Sequence, residues 1–197
     1  MKKRAPRKSP STAPSLRIIG GQWRGRKLGF AEVDGLRPTG DRIRETLFNW
    51  LQPHLPGARC LDLFSGSGAL GFEALSRGAA NAILLEKHPN AAQTIQENLK
   101  LLGGEQHGRV LNADALDYLS QEAQSQYDIV FMDPPFAADL WQSAIDTLEQ
   151  HHWLSDDAAI YIETSRNQPL TVPENWHLHR QKDSGEVSYY LFYRTPK

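Results

Sequence analysis

The chain has 197 residues, 40% of them apolar and 23% charged, with a formal net charge of −1 and one cysteine. That length supports one domain with an extension and a sizeable core, and the composition is that of a soluble globular protein. No apolar run approaches the roughly 20 residues that cross a bilayer, no secretory-type apolar stretch follows the basic N-terminus, and a lone cysteine excludes an internal disulfide, so the expected location is cytoplasmic.

The small net charge conceals an asymmetry. Residues 1–44 carry 12 of the 22 basic residues and three acids, Glu32, Asp34 and Asp41, a net +9 against −10 on the remainder. A basic segment on an acidic body suits a polyanion partner on one face. Residues 1–15, rich in Lys, Arg, Pro and Ser, are expected to be a disordered basic tail. Residues 16–52 read as an extension. Leu16–Ile19 and Gln22–Leu28 form a hairpin around Gly20-Gly21, and a helix spans Asp41–Leu51, capped by Thr39 or Asp41. Ile43, Leu47, Trp50 and Leu51 share a face of that helix. Arg17, Trp23, Arg24, Arg26, Lys27, Arg37 and Arg44, with Phe30 interleaved, are the expected RNA contacts. Arg37, Thr39 and Arg44 are placed at a cofactor or substrate entrance, with a surface ion pair as the alternative for Arg44.

Residues 53–197 alternate strand and helix. Strands are predicted at Arg59–Phe64, Ala82–Glu86, Arg109–Ala113, Tyr127–Met132 and Ala158–Glu163. Helices lie between them at Ala69–Arg77, Asn90–Leu102, Ala115–Ser120 and Ala138–Gln150. This pattern gives an α/β fold with a parallel sheet covered on both faces. Trp176–Lys182 and Glu186–Arg194 flank Asp183-Ser184-Gly185 and read as an antiparallel hairpin at one edge. Cys60, in an apolar strand, reads as a buried structural thiol.

The most informative residues follow the strand ending at Met132: Asp133-Pro134-Pro135-Phe136. A carboxylate and a proline carbonyl can accept both N–H bonds of an exocyclic amine while Phe136 stacks on the ring that bears it. Neither Pro134 nor Pro135 has a competing N–H. A second motif follows the strand through Asp62 and Phe64. Gly66, Gly68 and Gly71 satisfy G-x-G-x-x-G at a helix start, with Ser67 between the first two. Glu86 ends the next strand 20 residues after Gly66, where a ribose-binding acid sits. Alone, this also fits a nicotinamide enzyme. Asp62 helps to decide, because a pyrophosphate on the loop is poorly served by a carboxylate just before it. S-adenosylmethionine instead brings an ammonium and a sulfonium. Glu86 can accept from its ribose hydroxyls with Lys87 beside it, and Asp114, followed by Ala115, can accept from its adenine amine.

With these residues the chain resembles the class I S-adenosylmethionine-dependent methyltransferases. It resembles most closely the bacterial family that methylates N2 of a guanine in 16S ribosomal RNA. The specific blocks are Arg17–Arg26, Arg37–Thr39 with Asp41–Asn49, Asp62–Glu73 and Asp133–Phe136. The resemblance implies a Rossmann-like seven-stranded sheet of order 3-2-1-4-5-7-6 with strand 7 antiparallel. It also implies S-adenosylmethionine as cofactor with S-adenosylhomocysteine as product, and 16S rRNA in a small subunit or assembly intermediate as substrate. Asp133, Pro134, Pro135 and Phe136 become catalytic residues, and Asp62, Phe64, Gly66, Ser67, Gly68, Glu86, Lys87, Asp114, Ala115 and Thr39 cofactor residues. A monomer without metal is expected, since the seven histidines are scattered. Rival readings are an adenine-N6 methyltransferase, a protein glutamine-N5 methyltransferase and a non-catalytic RNA-binding assembly factor.

Overall fold

The structure, a computed structural model, describes residues 14–33, 39–136 and 139–196. Most of the basic tail, Arg37 and the expected helix start at Ala138 lie outside the described residues. In chain order the elements are β1 (Ser15–Arg17), β2 (Lys27–Gly29), α1 (Asp41–Leu51), β3 (Arg59–Asp62), α2 (Ala69–Ser76), β4 (Asn81–Glu86), α3 (Pro89–Leu101), β5 (Gly108–Asn112), α4 (Ala115–Leu119), β6 (Tyr127–Met132), α5 (Trp141–Gln150), β7 (Leu154–Ser165), β8 (Trp176–Ser184) and β9 (Val187–Arg194).

Among the described residues, seven strands form one sheet of order β5-β4-β3-β6-β7-β9-β8. Counted from β3 as the first strand, this is the expected 3-2-1-4-5-7-6. β9 runs antiparallel to both β7 and β8. Strand geometry sends successive side chains to opposite faces, and the two faces make two cores. Cys60, Ile129, Phe131, Ala159 and Tyr161 pack with α1, α2, α3 and the N-terminal extension. Leu61, Val130, Met132, Ile160 and Ile162 pack with α4 and α5. Both sheet faces are therefore covered, as an apolar parallel sheet requires.

Two glycines set the approach of α2. Gly68 adopts φ +80°, the left-handed turn into the helix. At Gly71 a Cβ would lie 2.5 Å from Leu84 Cδ2, so helix and β4 approach closely because that side chain is absent.

The extension differs from its predicted form. β1 and β2 pair antiparallel over three residues each, so the strands are far shorter than expected. Gly20 and Gly21 are not the tip of a tight turn. They press against the end of α2, where Gln22 N–H donates to the Ser76 carbonyl at 2.8 Å and Ser76 Oγ donates to the Gly20 carbonyl at 2.6 Å. The predicted α1 cap also differs. Gly40 occupies the N-cap with no side-chain bond, because Thr39 is engaged elsewhere.

Glu73 holds this junction together. It is fully buried and accepts from Ile19 N–H at 3.0 Å, Gly20 N–H at 2.7 Å and Arg77 Nε at 2.8 Å. Arg44 Nη1 faces it at 3.5 Å. Removing one partner of a buried ion pair leaves an uncompensated charge. Glu73→Ala is expected to destabilise the fold by about 3–5 kcal/mol, read as a lowered urea midpoint. A shift below about 1 kcal/mol would contradict the role given to this carboxylate.

Candidate active site

The C-terminal ends of β3, β4, β5, β6 and β7 open onto one cavity of about 660 Å³. Ligands bind this edge in open α/β sheets, where the strand order reverses, here between β3 and β6. The size is that of a small-molecule site. Asp62, Phe64, Gly66, Ser67, Glu86, Lys87, Asp114 and Ala115 all line it, as do Thr39 and Asp133 through Phe136. Gly68 does not; it shapes the turn behind the wall. The sequence reading missed Glu163, Glu186 and His88, which also border the cavity.

Three of the acids that line it are held by backbone N–H groups. Asp62 is 2% exposed and accepts Gly71 N–H on Oδ2 at 3.2 Å. Burial pushes its carboxyl up to about 7, opposed by the Gly71 bond. Glu86 accepts Gly66 N–H on Oε2 and His88 N–H on Oε1, each at 2.8 Å, so it fixes the glycine loop and the start of α3 together. Asp114 caps α4, accepting from Leu116 and Asp117 N–H on Oδ1. Each carboxylate retains lone pairs for a ligand, because an ionised carboxylate has about four acceptor positions.

On the same wall, at the end of β6 next to β3, Asp133 accepts from Thr39 Oγ1 at 3.1 Å. Burial, then the Glu163 charge, raises the Asp133 carboxyl well above the ordinary carboxylate range, with the Thr39 bond acting against them. Pro134 is buried, while Pro135 and Phe136 are exposed. Phe136 is 39% exposed, and its ring centre lies 5.9 Å from that of Trp141. The exposed Phe136 ring and the Asp133 carboxylate thus border the same cavity.

Two predicted RNA contacts are corrected. Arg44 is 1% exposed. It donates to the carbonyls of Thr39 and Arg17 and to Asp41 Oδ1 at 2.6 Å, and pairs with Glu73. A side chain so enclosed cannot reach a phosphate. Trp23 is 8% exposed and packs in the core, with its N–H on Ser76 Oγ at 2.9 Å. Its ring approaches Gly104, where a Cβ would lie 2.9 Å from it. Arg17, Arg24, Arg26 and Lys27 are exposed. Arg17 lies 3.7 Å from Asp41, and Arg26 donates to the Leu101 carbonyl. Cys60 is fully buried and burial pushes its thiol up, so it is structural.

Among the described lining residues, six carboxylates (Asp62, Glu86, Asp114, Asp133, Glu163 and Glu186) face one lysine, Lys87. Such a wall repels a pyrophosphate and suits a cationic nucleoside. The residues present therefore fit S-adenosylmethionine and do not fit a nicotinamide dinucleotide. No group of three or more His, Cys, Asp or Glu among the described residues is placed to hold a metal ion. No helix among them is long and apolar enough to cross a membrane.

Sheet order, glycine loop and acid-lined crevice define a methyltransferase with the class I, Rossmann-like fold. A family model described as Conserved hypothetical protein 95 matches residues 16–193, and the chain belongs to that family. It is 50% identical over 185 residues to the ribosomal RNA small subunit methyltransferase D of Escherichia coli K12, covering 93% of this chain and 92% of that protein. The protein of the same name from Haemophilus influenzae is 47% identical over 186 residues, covering 93% and 96%. The solved structure of yhhF from Escherichia coli matches with a TM-score of 0.86 at 49% identity, covering 93% of this chain and 100% of that one. An RNA methyltransferase from Salinibacter ruber, in complex with S-adenosylhomocysteine, shares the fold with a TM-score of 0.62 at 17% identity, covering 82% and 95%.

The raised Asp62 carboxyl has a consequence for stability. Between about pH 4, where an unfolded aspartate ionises, and about pH 7, the folded protein holds a proton that the unfolded chain has lost. Stability from this group therefore falls as pH rises through that window, by up to about 1.4 kcal/mol per pH unit. Asp62→Asn is expected to remove this slope, so that the variant gains stability over the parent between pH 5 and about 7 without ligand. Parallel denaturation curves at every pH would refute it.

Proposed function

We propose that this protein transfers a methyl group from S-adenosylmethionine to the exocyclic N2 amine of a guanine in the 16S rRNA of the small ribosomal subunit. The observation that carries the reading is the Asp133–Phe136 clamp opening into the same cavity as Asp62, Glu86 and Asp114. The relatives named as small-subunit rRNA methyltransferases support the substrate class. The amine clamp supports an amino acceptor.

When bound, S-adenosylmethionine supplies an electrophilic methyl group on a positively charged sulfur. Asp62 and the glycine loop hold its amino-acid end, Glu86 its ribose hydroxyls and Asp114 its adenine amine. Phe136 stacks on the guanine, while Asp133 and the Pro134 carbonyl accept the two amine hydrogens. The N2 lone pair is conjugated with the ring. Holding both hydrogens draws it out of conjugation and aims it, so that most of the rate comes from alignment. A carboxylate is far too weak to deprotonate a neutral aromatic amine. As N2 bonds to the methyl carbon, the carbon–sulfur bond breaks with its electron pair left on sulfur and S-adenosylhomocysteine as leaving group; N2 is then cationic, and Asp133 takes its proton. The raised affinity of Asp133 for a proton suits that task. The base must leave its stack to reach this slot, which favours a target in an RNA loop.

Asp133→Ala is expected to lower turnover by 100-fold or more, on the order of a lost general base, while affinity for S-adenosylhomocysteine stays within about threefold. Because Asp133 must be ionised to accept, wild-type turnover should rise with pH through a limb lying above the ordinary carboxylate range. A variant that keeps full activity, or an acid limb at pH 4, would sink the assigned role. The exposed basic strip carries a second test. Arg24→Ala with Lys27→Ala should weaken RNA binding and flatten its salt dependence by about 0.7–0.9 in log–log slope per lost phosphate contact. An unchanged slope would remove these residues from the RNA contact.

A further inference from the structure

Two carboxylates stand at the substrate end of the cavity. β6 and β7 run parallel with Met132 opposite Ile162. One residue further along, Asp133 comes beside Glu163 on the same face, at roughly the 4.8 Å spacing of neighbouring strands. Both line the cavity, and Glu163 is 6% exposed.

Both are positioned by neighbours that leave an oxygen available. The buried Tyr161 hydroxyl donates to Glu163 Oε2 at 2.8 Å, and Thr39 donates to Asp133 Oδ2. Among the described residues no donor reaches Glu163 Oε1 or Asp133 Oδ1, and neither oxygen is a sealed, unpartnered atom. Trp141 fixes the surroundings: its indole N–H donates to the Glu163 carbonyl at 2.8 Å while its ring supports Phe136. The stacking ring and the second carboxylate are thus held by one buried side chain. Burial raises both carboxyls, and the Glu163 charge adds to the rise at Asp133.

Guanine presents two adjacent donors on its pairing edge, N1–H and the N2 amine. Adenine presents an amine beside a bare N1 acceptor. Two neighbouring carboxylate acceptors match the first edge and clash with the second. We propose that Glu163 accepts N1–H of the guanine whose N2 amine Asp133 holds, and thereby selects guanine over adenine. This rests on the guanine-N2 reading above. Glu163 is a recognition residue, and the methyl acceptor stays with Asp133.

The base 2-aminopurine separates the two roles, because it keeps the N2 amine but has an N1 lone pair in place of N1–H. Small-subunit RNA carrying guanine or 2-aminopurine at the target position would be offered to wild type and to Glu163→Gln. In the variant Tyr161 continues to donate to the amide oxygen. The amide N–H then replaces Oε1 and matches the N1 lone pair. Wild type is expected to prefer guanine by roughly tenfold to a hundredfold in kcat/KM, the size of one base-edge contact. The variant should lose about that factor on guanine and gain on 2-aminopurine, so that the preference reverses while S-adenosylhomocysteine affinity is unchanged. Glu163→Asp, which keeps an acceptor, should be slower yet still prefer guanine. Equal use of both bases by wild type, or an equal loss on both in Glu163→Gln, would overturn the proposal and leave the guanine reading standing. Mass spectrometry of the product distinguishes the other failure: methyl on adenine N6 and none on guanine would remove the guanine reading itself.

Discussion

The Glu73 carboxylate is the point on which the rest of the molecule turns. A buried charge of this kind survives only when its lone pairs are filled. Here two backbone N–H groups of the extension and the Arg77 side chain fill them, with the Arg44 guanidinium 3.5 Å away as a buried counter-charge. The loop from Ile18 to Arg26 has few ladder partners of its own, so its amides need an acceptor from outside. Glu73 sits midway along α2, whose first residue follows Gly68. The extension and the glycine loop are therefore fixed to the two ends of one short helix. Displacing either shifts the other.

The same extension reaches the chemistry. Arg44 donates to the Thr39 carbonyl, and Thr39 donates its hydroxyl to Asp133. A line of polar contacts thus runs from Glu73 through the ion pair with Arg44 and then through Thr39 to the Asp133 carboxylate on the cavity wall. Arg44 is positioned by burial and by charge, and it places Thr39 through the backbone. Its importance is geometric, which explains why a residue so far from solvent belongs to a basic, motif-bearing segment.

Much of the fold was legible because alternation of apolar strand and amphipathic helix is local information. β6 was read with its observed limits, and the remaining sheet strands were displaced mainly at their ends. The acids Asp62, Glu86 and Asp114 were legible because each ends a strand, and strand ends in this topology converge. Arg44 was misread because its charge outweighed its position. Yet residues 44, 47, 48 and 51 recur at helical spacing, and Leu47, Phe48 and Leu51 are all fully buried. The arginine lies on that apolar stripe. Trp23 was misread for a similar reason: basic neighbours suggested RNA, whereas the pocket that receives its ring is made by Gly104, 81 positions away. Glu163 was passed over because its meaning depends on register. Nothing near it in sequence states that β7 lies beside β6 with Ile162 opposite Met132.

Topology also explains the division of the cavity. Strand order reverses between β3 and β6, so chain progress carries β4 and β5 to one side and β7 to the other. Acids at the ends of β3, β4 and β5 line the cavity from one side of that reversal and acids at the ends of β6 and β7 from the other, joined by Glu186 just before β9. The first set is tied to backbone N–H groups of the loops it supports. The second is tied to side-chain hydroxyls, Thr39 and Tyr161. Backbone donors belong to the fold and cannot be exchanged by substitution. Hydroxyl donors can be. A wall built this way keeps the β3, β4 and β5 side constant while the β6 and β7 side is open to change one side chain at a time.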